Sequence, residues 1–344
     1  DVAPSRGLGD VYKRQILAVS MFIWENICVK IGKDKYKGAA KMKKIKWLAT
    51  GGTISSVETE KGLVPASSDE QMKKMLDVLG FASENICTEQ LMNIDSTEIS
   101  CDDIRNIGIA ADKAIRGGFD GIIITHGTDT MAYTAAILDR MMDGCPIPVI
   151  ITGSQRPFFA DNSDGKANLL NALNAACENI GGVHILFGDK LIKGGRAYKA
   201  YTRNDNAFIS PSGKYSGSIS GGKLICSEKK PDGKYIFRSD FSHKAGLIKI
   251  TPMTRPEEIE TAAKLYDGIV IEGYGIGAIP TRLLPAIKKS ISGGVKCVLI
   301  SQCLFEGVSM GVYEVGTQAK DIGVISGGDL TAEGALARLM FGEI

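Results

Sequence analysis

Short apolar runs and longer amphipathic stretches alternate along most of this chain. Runs of four to six largely apolar residues stand at positions 45–49, 121–125, 148–152, 183–187, 268–271 and 295–300. Runs of this length without polar alternation are typical of strands that are buried on both faces of a parallel sheet. The intervening stretches contain apolar residues at helical spacing, most clearly at 169–177 and at 104–115, which follows a capping-box pattern from Ser100 to Asp103.

This alternation predicts an α/β fold, with a doubly wound, mostly parallel sheet in a larger N-terminal domain and a smaller C-terminal α/β domain. The polar stretch 227–244 predicts a linker, which places the two domains at 42–226 and 245–344. A length of 344 residues suits two domains. Residues 1–41 are expected to be a non-native or disordered leader before an initiator at Met42, with a signal peptide as the alternative.

The composition narrows the classes of function. The 41 lysines and arginines nearly balance the 39 aspartates and glutamates, so we expect a small-molecule substrate and neither a nucleic acid nor a membrane as partner. The eight cysteines show no CxxC pair, which indicates reduced thiols in a cytoplasmic protein. Since the three histidines, at positions 126, 184 and 243, lie far apart in the sequence, we predict no metal site.

Hydroxyl-bearing residues and glycines follow three of the predicted strands. The segments are Thr50-Gly-Gly-Thr-Ile54, Thr125-His-Gly-Thr-Asp-Thr130 and Thr152-Gly-Ser-Gln155. Ligands of parallel sheets bind beyond the carboxyl ends of the strands, and hydroxyls placed there can act as nucleophiles. These segments therefore favour an acyl-transfer site, and the alternative is that they form only tight turns and helix caps.

Three further features have both a structural and a functional interpretation. The absence of an acidic neighbour in sequence favours a buried structural imidazole for His126 over a general base. Cys303 has no adjacent cation or histidine, which favours a buried structural cysteine over a thiolate nucleophile. The polar segment 55–67, between Ile54 and a helix that starts near Ser68, is long for a strand-to-helix connection and indicates either a lid or a surface loop.

The motifs at 50–54 and 126–130 together resemble the two signature motifs of the bacterial L-asparaginase family. The resemblance runs from Met42 to the end of the chain, and its flanking segments are similar to those of the type I, cytoplasmic branch. Those segments are 131–134, 151–155, 163–165, 168–173, 302–304 and 313–316. The resemblance implies an enzyme that hydrolyses L-asparagine to L-aspartate and ammonia without a cofactor, as a homodimer or homotetramer.

The resemblance also implies roles at the matching positions. Thr53 matches the nucleophile that forms an acyl-enzyme. The implied supporting triad consists of Thr128, Asp129 and Lys199. Asp129 is also expected to bind the α-ammonium group of the substrate, and Ser96 its α-carboxylate. The remaining implied substrate-binding residues are Gly52, Asp95, Thr97 and Gly127, and Thr128 is expected to bind the substrate in addition to its role in the triad.

Two positions depart from the family pattern. Leu63 stands where many members have a lid tyrosine, and Ala278 where many have an asparagine in the amino-group site. The chain ends at Ile344, so the C-terminal domain is expected to be truncated before the usual final helix. Two other functions stay open, namely the asparaginase-like subunit of the archaeal-type glutamyl-tRNA amidotransferase and a non-catalytic amino-acid sensor. The short leader and balanced charge argue against the amidotransferase, and the intact nucleophile and triad argue against the sensor.

Overall fold

The computed structural model describes residues 43–59, 62–81, 83–312 and 314–344. The predicted leader, residues 1–41, and the predicted initiator Met42 lie outside this part of the chain. The strands are β1 (Ile45–Gly51), β2 (Ser56–Thr59), β3 (Gly62–Pro65), β4 (Ile86–Ile94), β5 (Gly121–Thr125), β6 (Met142–Asp143), β7 (Pro148–Thr152), β8 (Gly182–Phe187), β9 (Lys190–Lys193), β10 (Tyr198–Lys199), β11 (Phe208–Ile209), β12 (Gly217–Ser220), β13 (Lys223–Cys226), β14 (Ile236–Phe237), β15 (Ala245–Lys249), β16 (Gly268–Gly273), β17 (Lys296–Ser301) and β18 (Ile325–Ser326). The α-helices are α1 (Asp69–Leu79), α2 (Cys101–Arg116), α3 (Met131–Met141), α4 (Gly165–Ala176), α5 (Pro256–Leu265), α6 (Leu284–Ser292), α7 (Glu314–Asp321) and α8 (Ala332–Met340).

The N-terminal sheet has eight strands in the order β13-β12-β9-β8-β7-β5-β1-β4. Strands β4, β1, β5, β7 and β8 run parallel, and β9, β12 and β13 extend the sheet as antiparallel neighbours. Every residue of β5, β7 and β8 is buried, as the apolar runs predicted. The predicted mostly parallel sheet of the larger domain is therefore confirmed.

Alternate residues of the central strands pack against helices on opposite faces of this sheet, because side chains along a strand point to the two faces in turn. Leu48 of β1 and Ile122 of β5 belong to a core cluster with residues of α2 and α3. Trp47 and Ile123, their neighbours along the chain, belong to a second cluster with residues of α1 and α4. Helices on both faces confirm the doubly wound architecture.

The smaller C-terminal domain contains a parallel sheet with the order β15-β16-β17-β18. One face packs against α5 and α6, with Ile271, Ile259 and Ile287 in its core. The other face packs against α8 through Val270 and Leu339. Since α8 also contacts α3, this helix joins the second domain to the first.

The predicted linker 227–244 contains a short strand and packs against the N-terminal domain. Strand β14 pairs with β6, the Arg238 N–H donates to the Met141 carbonyl at 2.8 Å, and the Tyr235 hydroxyl donates to Asp112 at 2.8 Å. This segment is therefore attached to the first domain over part of its length. The domain limits 42–226 and 245–344 stay predictions.

The segment predicted to be a lid or a surface loop contains a β-hairpin. Strands β2 and β3 pair antiparallel, with Val57 opposite Val64, and the Ala66 N–H donates to the Ser55 carbonyl at 3.2 Å at the base of the hairpin. Sequence analysis did not predict these strands because each is only four residues long and lies in a polar stretch. The helix that follows has the predicted N-cap, since Ser68 Oγ accepts a backbone N–H of the first turn.

Candidate active site

Three loops meet at the carboxyl edge of the N-terminal sheet, after β1, β4 and β5. Gly52, at φ 79°, approaches the loop after β5 so closely that a Cβ atom would lie 2.5 Å from the Gly127 nitrogen and 2.6 Å from its Cα. Ordinary van der Waals contacts of a Cβ begin near 3.4 Å, so only glycine fits at this position. The contact joins the two signature motifs directly.

Gly127 lies in turn against the loop after β4. A Cβ atom on Gly127 would lie 2.6 Å from Ser96 Oγ. The Thr130 hydroxyl donates to the Ser96 carbonyl at 2.7 Å, and Ser96 itself is buried. Gly52, Gly127 and Ser96 therefore form one continuous line of contacts across the three loops.

Thr53 begins a short 3₁₀ turn, Thr53–Ser55, directly after this contact and is half-buried. The carbonyl of Gly52 anchors the turn by accepting the Ser55 N–H at 3.2 Å. It also accepts the hydroxyls of Ser55 and Ser56, each at 3.1 Å. Thr53 is thus held in a hydrogen-bonded loop with part of its surface exposed.

Lys199 reaches the second motif from a different part of the chain. It lies on β10, which pairs with β11 so that Lys199 stands opposite Phe208. Its Nζ donates to Thr128 Oγ1 at 2.8 Å and to Asp129 Oδ1 at 2.5 Å. The Lys199 side chain is 17% exposed and that of Asp129 is 59% exposed, so the lysine lies beneath a carboxylate that faces solvent. The fold therefore brings together the three residues of the predicted triad.

Asp95 and Thr97 flank Ser96 and bond to each other. Asp95 Oδ1 accepts both the backbone N–H and the hydroxyl of Thr97, each at 2.8 Å, and so caps the 3₁₀ turn Ser96–Glu98. Both side chains are exposed. Their visible role is to hold the turn that presents Ser96.

Sequence analysis predicted structural, buried roles for His126 and Cys303, and only the first of these predictions is correct. His126 is fully buried, with Nδ1 at 2.7 Å from the Gly127 carbonyl and Nε2 at 3.0 Å from the Thr134 hydroxyl, which confirms a structural imidazole. Cys303 is exposed, so the prediction of a buried cysteine is wrong. It lies in an irregular segment beyond β17, where its N–H donates to the Ser301 hydroxyl at 2.9 Å.

Sequence analysis missed several residues that the C-terminal domain places near α3 and β10. Tyr198, which precedes Lys199, lines a cavity between the domains together with Glu272. The pKa of Tyr133 on α3 is raised by burial and by the nearby carboxyl groups of Glu333 and Glu272. Burial also raises the pKa of Glu333. No local pattern marks these residues, because only the packing of α8 and β16 on the first domain brings them together.

Within the described residues, no group of three or more His, Cys, Asp or Glu side chains is arranged to hold a metal ion. In the same part of the chain, no helix is both long and apolar enough to cross a bilayer. The three loops carry hydroxyls, backbone N–H groups and the carboxylate of Asp129, which Lys199 contacts with its amine.

Comparison with known proteins shows matches to two family models and to an L-asparaginase of known structure. Residues 44–232 match the family model of the asparaginase N-terminal domain, and residues 244–342 match that of the glutaminase/asparaginase C-terminal domain. The L-asparaginase of Thermococcus kodakarensis is 37% identical over 299 residues, which cover 86% of this chain and 90% of that protein. Its solved structure superposes with a TM-score of 0.81, at 36% identity, over 87% of this chain and 92% of that one.

Two further relatives mark the breadth of the similarity. A glutamyl-tRNA(Gln) amidotransferase subunit of Methanosphaera stadtmanae is 33% identical over 88% of this chain and 72% of that protein. The structure of the "probable cytoplasmic L-asparaginase" of Campylobacter jejuni has a TM-score of 0.73 at 27% identity, covering 88% of this chain and 95% of that one. With two family models covering most of its length and three contacting loops that carry both signature motifs, the chain belongs to the asparaginase family.

Proposed function

We propose that this protein hydrolyses L-asparagine to L-aspartate and ammonia through a threonine-linked acyl-enzyme. The observation that carries the proposal is the bond from Lys199 Nζ to Thr128 Oγ1, 2.8 Å long, beside the close contact of Gly52 with Gly127. These glycines immediately precede Thr53 and Thr128 in the two motifs. The contact supports an arrangement in which one threonine attacks and the other connects it to an amine.

In the proposed first half-reaction, Thr53 Oγ attacks the side-chain amide carbon. The Thr53 proton passes to Thr128 Oγ1 while the Thr128 proton passes to a neutral Lys199 amine. The substrate carbonyl becomes an oxyanion, for which the backbone N–H groups of Gly127 and Thr128 are suitable donors. Collapse of this intermediate breaks the C–N bond, and the proton held by Lys199 goes to the leaving nitrogen, so that ammonia departs.

The second half-reaction consumes the ester on Thr53. Water attacks the ester carbonyl and gives up a proton along the same route. Aspartate leaves as the ester bond breaks, and Thr53 regains its hydroxyl proton. One proton leaves with ammonia and water replaces it, so Thr53, Thr128 and Lys199 end the cycle with the protons they began with and no step needs a cofactor or a metal.

The proposed substrate anchors are the exposed Asp129 carboxylate for the α-ammonium group and Ser96 for the α-carboxylate. The bonds of Thr130 and Asp95 that hold the Ser96 turn support this placement, since a fixed anchor orients the amide toward Thr53. Asp95 and Thr97 complete the proposed binding set as the residues that shape the turn. Gly52 and Gly127 contribute backbone atoms that a side chain would displace.

We further propose that the protein belongs to the type I branch, is cytoplasmic and assembles as a homodimer or homotetramer. The motif segments that flank both signatures support the branch, and the similarity to the "probable cytoplasmic L-asparaginase" of Campylobacter jejuni supports the location. The formal net charge of +2 supports a small molecule, rather than a nucleic acid or a membrane, as the partner.

The alternative function is that of an amidotransferase component, which the 33% identity to the Methanosphaera stadtmanae protein favours. The higher identity to the Thermococcus kodakarensis protein, 37% against 33%, favours the asparaginase. The decisive assay measures ammonia and aspartate released from free L-asparagine by the purified chain alone, and we expect equal amounts of both. Ammonia release that requires a second protein and tRNA would support the amidotransferase instead.

A further inference from the structure

His126, the first residue of the second motif, is fully buried, and both of its ring nitrogens have hydrogen-bond partners. Nδ1 lies 2.7 Å from the carbonyl oxygen of Gly127, the next residue in the chain. Nε2 lies 3.0 Å from the hydroxyl of Thr134, which is also fully buried on α3. The imidazole therefore connects the catalytic loop to the helix that follows it.

The partners fix the protonation state of the ring. Burial lowers the pKa of His126 to about 4, although the bond to the Gly127 carbonyl raises it, so the ring is neutral near pH 7. A carbonyl oxygen only accepts hydrogen bonds, so Nδ1 carries the proton and donates it. Nε2 then offers a lone pair, and the Thr134 hydroxyl donates to it. One tautomer satisfies every polar atom in this buried group.

This arrangement also fixes a peptide plane. The Gly127–Thr128 peptide is trans, so its carbonyl and its N–H point in opposite directions. Because His126 holds the Gly127 carbonyl toward the buried ring, the Thr128 N–H is directed away from it. The Cα of Gly127 is meanwhile confined between Gly52 and Ser96. The imidazole therefore limits rotation of the peptide that bears Thr128.

We propose that His126 is a positioning residue for the proposed amide hydrolysis, holding the Gly127 carbonyl so that the N–H and hydroxyl of Thr128 face the substrate. This inference rests on the proposed function and goes beyond it, because His126 touches neither the substrate nor the reacting atoms. Its contribution comes from the Nδ1–H donor alone. A side chain that supplies a donor at the same place should therefore replace it.

Two isosteric substitutions separate this role from a purely structural one. In His126→Asn the amide nitrogen takes the place of Nδ1, and in His126→Gln the amide reaches only the place of Nε2. We expect kcat of His126→Asn to stay within about threefold of wild type and that of His126→Gln to fall by about a hundredfold, as for a misplaced reacting group. KM for asparagine should stay within about threefold in both, since Asp129 and Ser96 are unchanged. Thermal melts establish that each variant is folded.

Equal losses of kcat in the two folded variants would overturn the proposal. If His126→Gln does not fold, the test is the tautomer of His126 in the wild-type protein, measured by NMR after labelling with ¹⁵N-histidine. The His126 signal is assigned as the one that is missing from the spectrum of His126→Asn. We expect protonated Nδ1 and unprotonated Nε2 at every pH from about 5.5 to 8.5. Protonated Nε2, or titration in that range, would overturn the proposal. A wild-type protein that releases no ammonia from asparagine would instead refute the proposed function.

Discussion

Replacing Gly52 with alanine tests the contact that joins the two catalytic motifs. The added Cβ would lie 2.5 Å from the Gly127 nitrogen, 2.6 Å from its Cα and 2.8 Å from the carbonyl carbon of His126. All three are backbone atoms, so no side-chain rotation relieves the overlap. Restoring an ordinary contact near 3.4 Å requires the loops to separate by roughly 1 Å.

A displacement of about 1 Å is larger than the positional tolerance of reacting groups. Misplacing reacting groups by about 1 Å costs about a hundredfold in rate, so we expect kcat of Gly52→Ala to fall by about that factor. The left-handed φ of 79° adds about 1–3 kcal/mol of backbone strain for a non-glycine residue. Steady-state ammonia release gives kcat, and urea unfolding gives the loss of stability.

Gly118→Ala provides a matched control. Its φ of 77° is nearly the same, but an added Cβ has no neighbour within 4 Å. We expect Gly118→Ala to lose about 1–3 kcal/mol of stability from backbone strain and to keep the wild-type kcat. A folded Gly52→Ala protein with kcat within about threefold of wild type would refute the argument that this contact sets the catalytic geometry.

Three other predictions concern the buried charges, the substrate and the assembly. Burial alone would raise the pKa of Asp139, but Lys193 and Arg140 outweigh this effect and hold the pKa below its ordinary value. Asp139→Asn should therefore lower the free energy of unfolding by about 3–5 kcal/mol at pH 7, because it leaves the two cations without their partner. This stability is fully present above about pH 4 and is lost as pH falls through the folded-state pKa of Asp139. The free energies of unfolding of wild type and Asp139→Asn, measured in urea, should therefore converge below about pH 4. A difference between them that does not change with pH would contradict the assignment. Glutamine, longer by one methylene, should show a kcat about a hundredfold lower than asparagine, and equal kcat/KM values would argue against fixed anchors. Light scattering should show a dimer or tetramer, and a stable, active monomer at micromolar concentration would contradict the proposed assembly.

The buried strands of the first domain could be predicted from the sequence because their signal is local. Strands β5 and β7 have the bounds of the apolar runs, since both faces of these strands are covered and no polar alternation interrupts them. The cap of α2 was equally visible, because Ser100 and Asp103 bond reciprocally within one turn. Each of these features depends on neighbours a few residues away.

The features that sequence analysis missed depend on distant contacts. The hairpin of β2 and β3 is stabilised by its attachment to Ser55 rather than by an apolar pattern. Lys199 lies 71 residues from Thr128 in the chain, so only the family resemblance linked the two, and no spacing rule could have done so. Cys303 was predicted to be buried because its sequence neighbours supply no cation or histidine, but it lies just beyond the end of β17 and is exposed. Burial beyond a strand end is decided by tertiary packing.

The central claim is that Thr53 is the nucleophile, and comparison of kcat for Thr53→Ala, Thr53→Ser and the wild-type protein with free L-asparagine tests it most directly. The account predicts that Thr53→Ala folds normally and loses about 10³-fold or more in kcat, because the substitution removes the hydroxyl that forms the acyl-enzyme. Thr53→Ser keeps a hydroxyl at the same position, so it should retain a kcat at least about a hundredfold above that of Thr53→Ala. A folded Thr53→Ala protein that releases ammonia at a near-wild-type rate would contradict the account.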